Sequence, residues 1–148
     1  MPTPLDFQLD PDAGDYVTDF FPPSIPLMSV RMLSALAEAG VDNIQAFDAV
    51  VRDRAGVPLG EAFKAINIVG RVACADLDAS DCEVDNPANP IGVSFESLVI
   101  DEARARGHLL FRLHEASTGI VVHDSVKKKL DPLRLRGVDF VMPEDWSS

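Results

Sequence analysis

The chain has 148 residues, of which 47% are hydrophobic and 25% charged, the size and composition of one globular domain that buries a core without metal or disulfide staples. The formal net charge of -11 argues against sequence-independent binding to nucleic acid or to an anionic membrane, because both would be repelled, and it favours a basic partner. No apolar run approaches the roughly 20 residues that span a bilayer, and the first residues lack the basic and apolar regions of a secretory signal, so we expect a soluble, cytoplasmic protein.

The N-terminal part is predicted to be an irregular arm followed by a short strand. Residues 1–15 contain Pro2, Pro4 and Pro11 among acidic and turn-forming residues, a composition typical of irregular chain. Apolar residues then alternate over Tyr16–Phe21, which indicates a strand that the next two prolines end. We therefore predict an irregular arm over 1–15 and a single α+β domain over 16–148.

The first predicted helix has signals at both of its ends. Ser29 is a candidate N-cap, apolar residues recur at helical spacing up to Ala39, and Gly40 provides the C-terminal stop. An alternating strand is predicted next, over Ile44–Val51.

A central strand and a second strand are predicted in the middle of the chain. The strongly apolar stretch Phe63–Ala75 is typical of a strand buried on both faces, with a bulge or close packing at Gly70. A polar, turn-rich loop is predicted over Asp76–Asn89. The next strand is predicted over Val93–Ile100, where Phe95 and Leu98 are its expected anchors.

The last third of the chain has the pattern of a strand, a helix and another strand. Apolar residues alternate over 109–113, a helix is predicted from Asp124 to Leu130 or Leu133, and alternation returns over Val138–Met142. Gly137 ends this helix as Gly40 ends the first, and both glycines precede Val-Asp and a predicted strand. We therefore predict two similar strand–helix–strand units in an α+β fold with a mostly antiparallel or mixed sheet and two short helices packed on it.

The cysteines and histidines do not form a metal-binding or nucleophilic motif. Cys74 and Cys82 lack CxxC spacing and a second ligand pair, so we expect Cys74 in the core and Cys82 as a reduced thiol in a loop. His108 and His114 would lie on one face of a continuous strand but about 20 Å apart, which is too far for one metal ion. His123 lies near a helix start, and we expect all three histidines to be exposed or locally hydrogen-bonded.

Other catalytic and metal-binding patterns also fail. The run Asp76–Asp81 begins like a calcium loop, but Asp81 stands where glycine is needed and Pro87 where the bidentate acid is needed. A solvated or self-capping acidic turn is therefore expected. No GxSxG, Walker A, GxGxxG or HExxH motif occurs, so the sequence predicts no catalytic residue, no cofactor and no metal.

A family resemblance indicates a function, which the patterns above do not. An apolar strand is followed by an acidic turn with a serine at Asp76, Asp78 and Ser80, then by a leucine-rich strand with the Phe111–Arg112 pair, a helix, and a terminal glycine-valine-x-phenylalanine at 137–140. Together with PLMSVRMLSALAEAGVDNIQAF near the N-terminus, these features resemble the eleventh immunity-protein family of bacterial polymorphic toxin systems, over about residues 25–142.

The resemblance implies a protein that is not an enzyme and that protects the producing cell by binding and neutralising a cognate toxin. Residues 1–103 carry 18 acidic and five basic side chains, so the toxin domain is expected to be basic. The candidate contact residues are Asp76, Asp78, Asp81 and Arg112.

Two alternatives stay open from the sequence. One is a small-ligand-binding protein or enzyme with a pocket around His108, Arg112 and His114, which requires these groups to converge in one cleft. The other is an interaction module that forms a homodimer through an exposed edge strand, which a measurement of molecular mass would test.

Overall fold

The helices and strands of the chain place it in the predicted α+β class. The computed structural model describes residues 5–8, 18–21, 25–53, 55–60 and 62–148. The chain folds as two compact units, the first made of Met1–Ile68 and Lys128–Val138 and the second of Val69–Lys127 and Asp139–Ser148. No single cut in the sequence separates them. Among the described residues, no helix is both long and apolar enough to cross a membrane.

The first unit is built on a mixed five-stranded sheet and one helix. Its sheet has the order β1-β4-β5-β3-β2, in which β1 pairs with β4 in parallel and the other neighbours are antiparallel. The central position of β5 confirms the prediction made from its apolar sequence. The elements are β1 (Leu5–Gln8), β2 (Phe20–Phe21), β3 (Leu27–Ser29), α1 (Val30–Glu38), β4 (Ile44–Arg52) and β5 (Phe63–Ile68).

The predicted irregular arm contains β1, and this part of the prediction is wrong. Leu5 and Phe7 lie opposite Ala49 and Val51 of β4, and Phe7 packs against the core cluster that includes Val51. Four residues of strand are stabilised by long-range pairing that the proline-rich composition hides. The other residues of the arm lie outside the described ranges, as does the start of the predicted strand Tyr16–Phe21, whose end is β2.

Helix α1 begins and ends where the sequence predicts. The Ser29 hydroxyl accepts a hydrogen bond from the Met32 N–H at 3.2 Å, which is an N-cap. At the other end Gly40 has φ +97°, and the N–H of Val41 donates to the carbonyl of Leu36 at 3.0 Å. This left-handed glycine closes the helix by satisfying its last carbonyls.

A buried carboxylate links three segments of the first unit. The side chain of Asp19 is 0% exposed and accepts hydrogen bonds from the Ser29 hydroxyl (2.8 Å), the Arg31 guanidinium (3.0 Å) and the Arg136 backbone N–H (2.7 Å). Arg31 also donates to the carbonyl of Leu133 at 2.9 Å. The charge is therefore buried with donors on several sides, the arrangement that a buried ion requires.

Low pH is expected to destabilise the first unit through protonation of Asp19. Burial alone would raise its pKa, but the hydrogen bonds from Arg136, Ser29 and Arg31 outweigh burial and lower it from 3.8 to about 2. Because the pKa of Asp19 is lower in the folded chain than in the unfolded chain, its ionised form stabilises the fold fully at pH values above the unfolded pKa. That contribution is lost as the pH falls from about 4 to 2. The loss is worth about 2 kcal/mol. Urea unfolding at pH 7, 4 and 2.5 would measure it, and Asp19→Asn should remove this part of the pH dependence; an unchanged pH dependence in that variant would contradict the assignment.

The second unit contains two small sheets around its own core. The three-stranded sheet has the order β10-β9-β6, and β7 pairs antiparallel with β8 in a separate ribbon. Phe95 and Leu98 are 1% and 4% exposed, so both predicted anchors are buried. The elements are β6 (Arg71–Val72), β7 (Asp81–Glu83), β8 (Ser94–Ser97), α2 (Glu102–Ala105), β9 (Leu110–Leu113), β10 (Ile120–Val122) and α3 (Asp124–Leu130), of which α3 crosses into the first unit.

Two predicted strands differ from the observed ones. The stretch Phe63–Ala75 is not one strand, because β5 ends at Ile68 and Gly70 has φ +101°. The next strand, β6, pairs with β9 in the other sheet. The predicted strand Val138–Met142 does not form, although α3 and the 3-10 helix Asp131–Leu133 occupy the predicted helix. The second strand–helix–strand unit thus lacks its last strand. Strand β9 lies between β6 and β10, and β10 follows it in the chain after a short turn.

Candidate functional site

The predicted acidic turn is closed by its own hydrogen bonds. The carbonyl of Asp76 accepts from the N–H and hydroxyl of Ser80 at 2.9 and 2.6 Å, and its carboxylate accepts from the N–H of Ala79 at 3.1 Å. This is the self-capping geometry expected of such a turn. Because the Asp76 carboxylate is used within the turn, Asp78 and Asp81 are the members of the predicted set that are exposed to solvent.

The ribbon of β7 and β8 continues the acidic surface beyond the turn. Along both strands exposed residues alternate with residues that face the core, as expected when one face of a ribbon is buried. Cys82 lies opposite Phe95, and both pack in the core of the second unit. Asp81, Glu83 and Glu96 are exposed. A shift in register after Asp81 leaves Glu96 as an extra residue of β8.

The C-terminal segment adds two further acids next to β8. Its 3-10 helix, Pro143–Asp145, is held by a hydrogen bond from the Ser97 hydroxyl to the Glu144 carbonyl at 2.9 Å and by one from the Leu98 N–H to the Pro143 carbonyl at 3.2 Å. Trp146 anchors the segment in the core, with its ring 6.0 Å from that of Phe95. Sequence reasoning missed these acids because only long-range contacts bring them to β8.

These side chains together form what we call the acidic face. No lysine or arginine lies in the sequence between Arg71 and Arg104, whereas eight acids do. Such a concentration of one sign attracts cationic groups over several ångströms and repels anions. The acidic face consists of the exposed residues Asp78, Asp81, Glu83, Glu96, Glu144 and Asp145.

Arg112, the fourth candidate contact, is used elsewhere. It is half-buried in β9, and its guanidinium donates to the carbonyl of Ser117 at 2.9 Å. In a strand, neighbouring side chains point to opposite faces, so Arg112 points away from Phe111 and Leu113, which pack in the same core as Cys82 and Phe95. The structure therefore places the three aspartates in the acidic turn and at the start of β7, and the side chain of Arg112 is used at Ser117 instead.

Each of the three histidines makes a local contact of its own. His108 lies edge-on to Phe111 with 5.8 Å between ring centroids, the N–H of His114 donates to the carbonyl of Val72, and the His123 ring contacts the Ser125 hydroxyl at 2.9 Å. Over the described ranges, no group of three or more His, Cys, Asp or Glu side chains is placed to hold a metal ion.

An apolar cleft of about 240 Å³ lies in the first unit, and it does not contain the residues of the alternative ligand pocket. None of His108, Arg112 and His114 lines it. Its walls are apolar side chains of α1, β4 and the loop between them, with one lysine from β5: Val30, Leu33, Leu36, Ala37, Val41, Ile44, Ala46 and Lys64.

Both cysteines are free, and we expect them to react slowly in the native protein. Burial raises the pKa of the Cys74 thiol to about 11, with a further contribution from Glu115 and Asp101. Burial, and then Asp81, also raises the pKa of Cys82, which is only half-buried. Since the thiolate is the reactive form, iodoacetamide at pH 8 should label Cys82 slowly and Cys74 only after unfolding in urea. Mass spectrometry would locate the label, and fast labelling of native Cys74 would contradict this prediction.

Comparison with known proteins identifies a family. A search of curated proteins found no similar sequence. The sequence model of the Immunity protein family (Imm11) matches residues 1–145, a range that includes the acidic turn, the β7–β8 ribbon and the acids of the C-terminal segment. Because this match covers nearly the whole chain and extends the resemblance seen over 25–142, the chain belongs to the Imm11 immunity protein family.

Proposed function

We propose that this chain is a bacterial immunity protein that binds a cognate polymorphic toxin in the cytoplasm of the producing cell and neutralises it without catalysing a reaction. Membership of the immunity protein family carries this proposal. The acidic face supports it as a surface suited to a protein partner, and it favours a toxin domain that is basic.

The acidic face would act mainly on the rate of capture. Exposed carboxylates contribute little to affinity individually because water and salt screen them. Their summed field nevertheless accelerates encounter with a cationic partner, typically by about 10-fold to 1000-fold at low salt. Rapid capture suits an inhibitor that must act before the toxin reaches its target.

Growth rescue tests the proposed function. The toxin domain encoded beside this gene would be expressed from an inducible promoter in a host that lacks this chain, with and without the chain on a second plasmid. We expect growth only when the chain is present, and we expect the two purified proteins to form a complex in gel filtration. Failure of the wild-type chain to rescue growth or to form that complex would refute the proposal.

Neutralising part of the acidic face should slow association with that toxin domain. The double variant Glu83→Gln, Glu96→Gln removes two exposed charges, so we expect the association rate at low salt to fall about threefold to tenfold and the difference to shrink at 0.5 M NaCl. The matched control is Glu38→Gln, Asp42→Asn, which removes two exposed charges from the first unit. Stopped-flow or biosensor kinetics would measure both, and equal slowing by the control would assign the effect to net charge alone.

A further inference from the structure

Exposed apolar side chains occur in the same chain segments as the acidic face. Val99 is 36% exposed, Val141 54% and Met142 61%. We infer that Val99 and Met142 form the apolar anchor point of the toxin interface, where a cationic toxin surface inserts an apolar side chain between the carboxylates. This inference rests on the proposed function and specifies which part of the chain performs it.

The backbone of Val99 is tied to the acidic turn. The carbonyl of Val99 accepts a hydrogen bond from the Asp76 N–H at 2.8 Å, and the N–H of Val99 donates to the Ser80 hydroxyl at 2.8 Å. These two bonds hold the exposed valine beside the turn that contains Asp78. Its side chain is thus presented on a rigid backbone, which lowers the entropy cost of using it in an interface.

Met142 is tied to the other side of the same surface. The N–H of Leu98, the residue before Val99, donates to the carbonyl of Pro143, the residue after Met142, at 3.2 Å. The carbonyl of Met142 accepts from the Asp145 N–H at 2.9 Å. The first of these bonds and the one from the Ser97 hydroxyl to the Glu144 carbonyl join the segments that carry Val99 and Met142. Two acids follow Met142 within the same 3-10 turn.

The arrangement matches the composition of protein interfaces. A single exposed valine is ordinary, but several exposed apolar side chains surrounded by charges indicate an interaction site. Protein interfaces have an apolar centre and a polar rim, and methionine adapts its shape to a partner. The rim here is made of the carboxylates of Glu96, Glu144 and Asp145.

Charge decides which occupant fits. An anionic membrane or nucleic acid would be repelled by the acidic face, and a second copy of this chain would present the same carboxylates to it. A protein surface with basic residues around an apolar side chain satisfies both the carboxylates and the apolar centre. The cognate toxin of the proposed function is the partner with this chemistry.

The test compares neutral substitutions at the anchor with one elsewhere. Binding of the purified toxin domain encoded beside this gene would be measured by biosensor for Val99→Ser, for Met142→Ser and for the control Val57→Ser, whose valine is 56% exposed in the first unit. We expect each anchor variant to dissociate on the order of tenfold faster or more, with an association rate within about twofold of wild type. The control should bind like the wild-type chain, and Met142→Leu should retain binding.

The possible failures are distinguishable. If the wild-type chain binds the toxin domain and both serine variants bind equally well, the anchor is refuted and the proposed function stands. If the wild-type chain does not bind, the proposed function fails and the anchor fails with it. Thermal unfolding of each variant would show whether a loss of binding reflects loss of the fold. If Val99→Ser loses the fold, Met142→Ser and Met142→Leu decide the outcome, because Met142 is at an exposed position.

Discussion

Replacing Asp19 with alanine is expected to lower the free energy of unfolding by about 3 to 5 kcal/mol, because each of the two donors left without an acceptor costs about 1 to 3 kcal/mol. The substitution leaves the Arg136 N–H and the buried Ser29 hydroxyl without their acceptor. It also removes the carboxylate partner of Arg31, which keeps its hydrogen bond to the Leu133 carbonyl. Unfolding in urea, followed by circular dichroism at pH 7, would measure the loss.

The matched control for this substitution is Asp48→Ala. Asp48 forms an ion pair with Lys64 in the same unit, but its side chain is 63% exposed. Exposed pairs contribute about 1 kcal/mol or less, so this variant should unfold close to the wild-type midpoint. Similar losses in the two variants would mean that burial of Asp19 does not decide its contribution.

Replacing Phe95 with alanine is the second change for which we expect a large loss, also about 3 to 5 kcal/mol. Phe95 is 1% exposed, packs in the core of the second unit and lies 6.0 Å from the ring of Trp146. Removing the ring leaves a cavity and weakens the support of the C-terminal segment. We therefore expect lower stability together with faster proteolysis near the C-terminus, measurable by urea unfolding and by mass spectrometry of limited digests.

Phe47→Ala provides the corresponding control. It removes the same ring from β4, where Phe47 is 50% exposed, so about 1 kcal/mol or less should be lost. A loss at Phe47 as large as that at Phe95 would contradict the assignment of the two positions to surface and core. Since Phe95 lies in the strand that carries Glu96, its variant should also bind the toxin domain less well if the proposed function is correct.

Elements whose signals are local were predicted correctly. Ser29 caps α1 and Gly40 closes it because both roles depend only on neighbouring backbone groups. Alternation located β4, and the strongly apolar stretch that begins at Phe63 indicated that β5 is the central strand, because both patterns depend on the order of neighbouring side chains.

Elements whose existence depends on distant partners were missed. The four residues of β1 are stabilised by β4, more than 40 residues later, and nothing in the proline-rich start indicates that pairing. The alternation over Val138–Met142 resembles a strand, but no strand forms there, and β9 pairs with β10 and β6 instead. The alternation of apolar residues by itself does not determine which strand will pair with the edge of a sheet.

The residues of the candidate site likewise divide into those that the sequence predicted and those that only tertiary contacts bring together. The acidic turn was found from the sequence because Asp76, Asp78 and Asp81 are neighbours in the chain. Glu144 was not, because hydrogen bonds from β8 bring the C-terminal segment to it. Arg112 was grouped with the aspartates on the basis of the family pattern, whereas the alternation of β9 turns its side chain to the other face.

The sequence by itself determined the α+β class, the helix ends, the central strand, the acidic turn and the family, since each depends on the order and spacing of nearby residues or on the pattern of the whole chain. Only the tertiary structure decided which strands pair, and that hydrogen bonds join the backbone of Val99 to the acidic turn and the C-terminal segment to β8. Those outcomes depend on contacts between residues far apart in the chain. Their free energies come from burial and hydrogen bonding in the folded state, which local order does not encode.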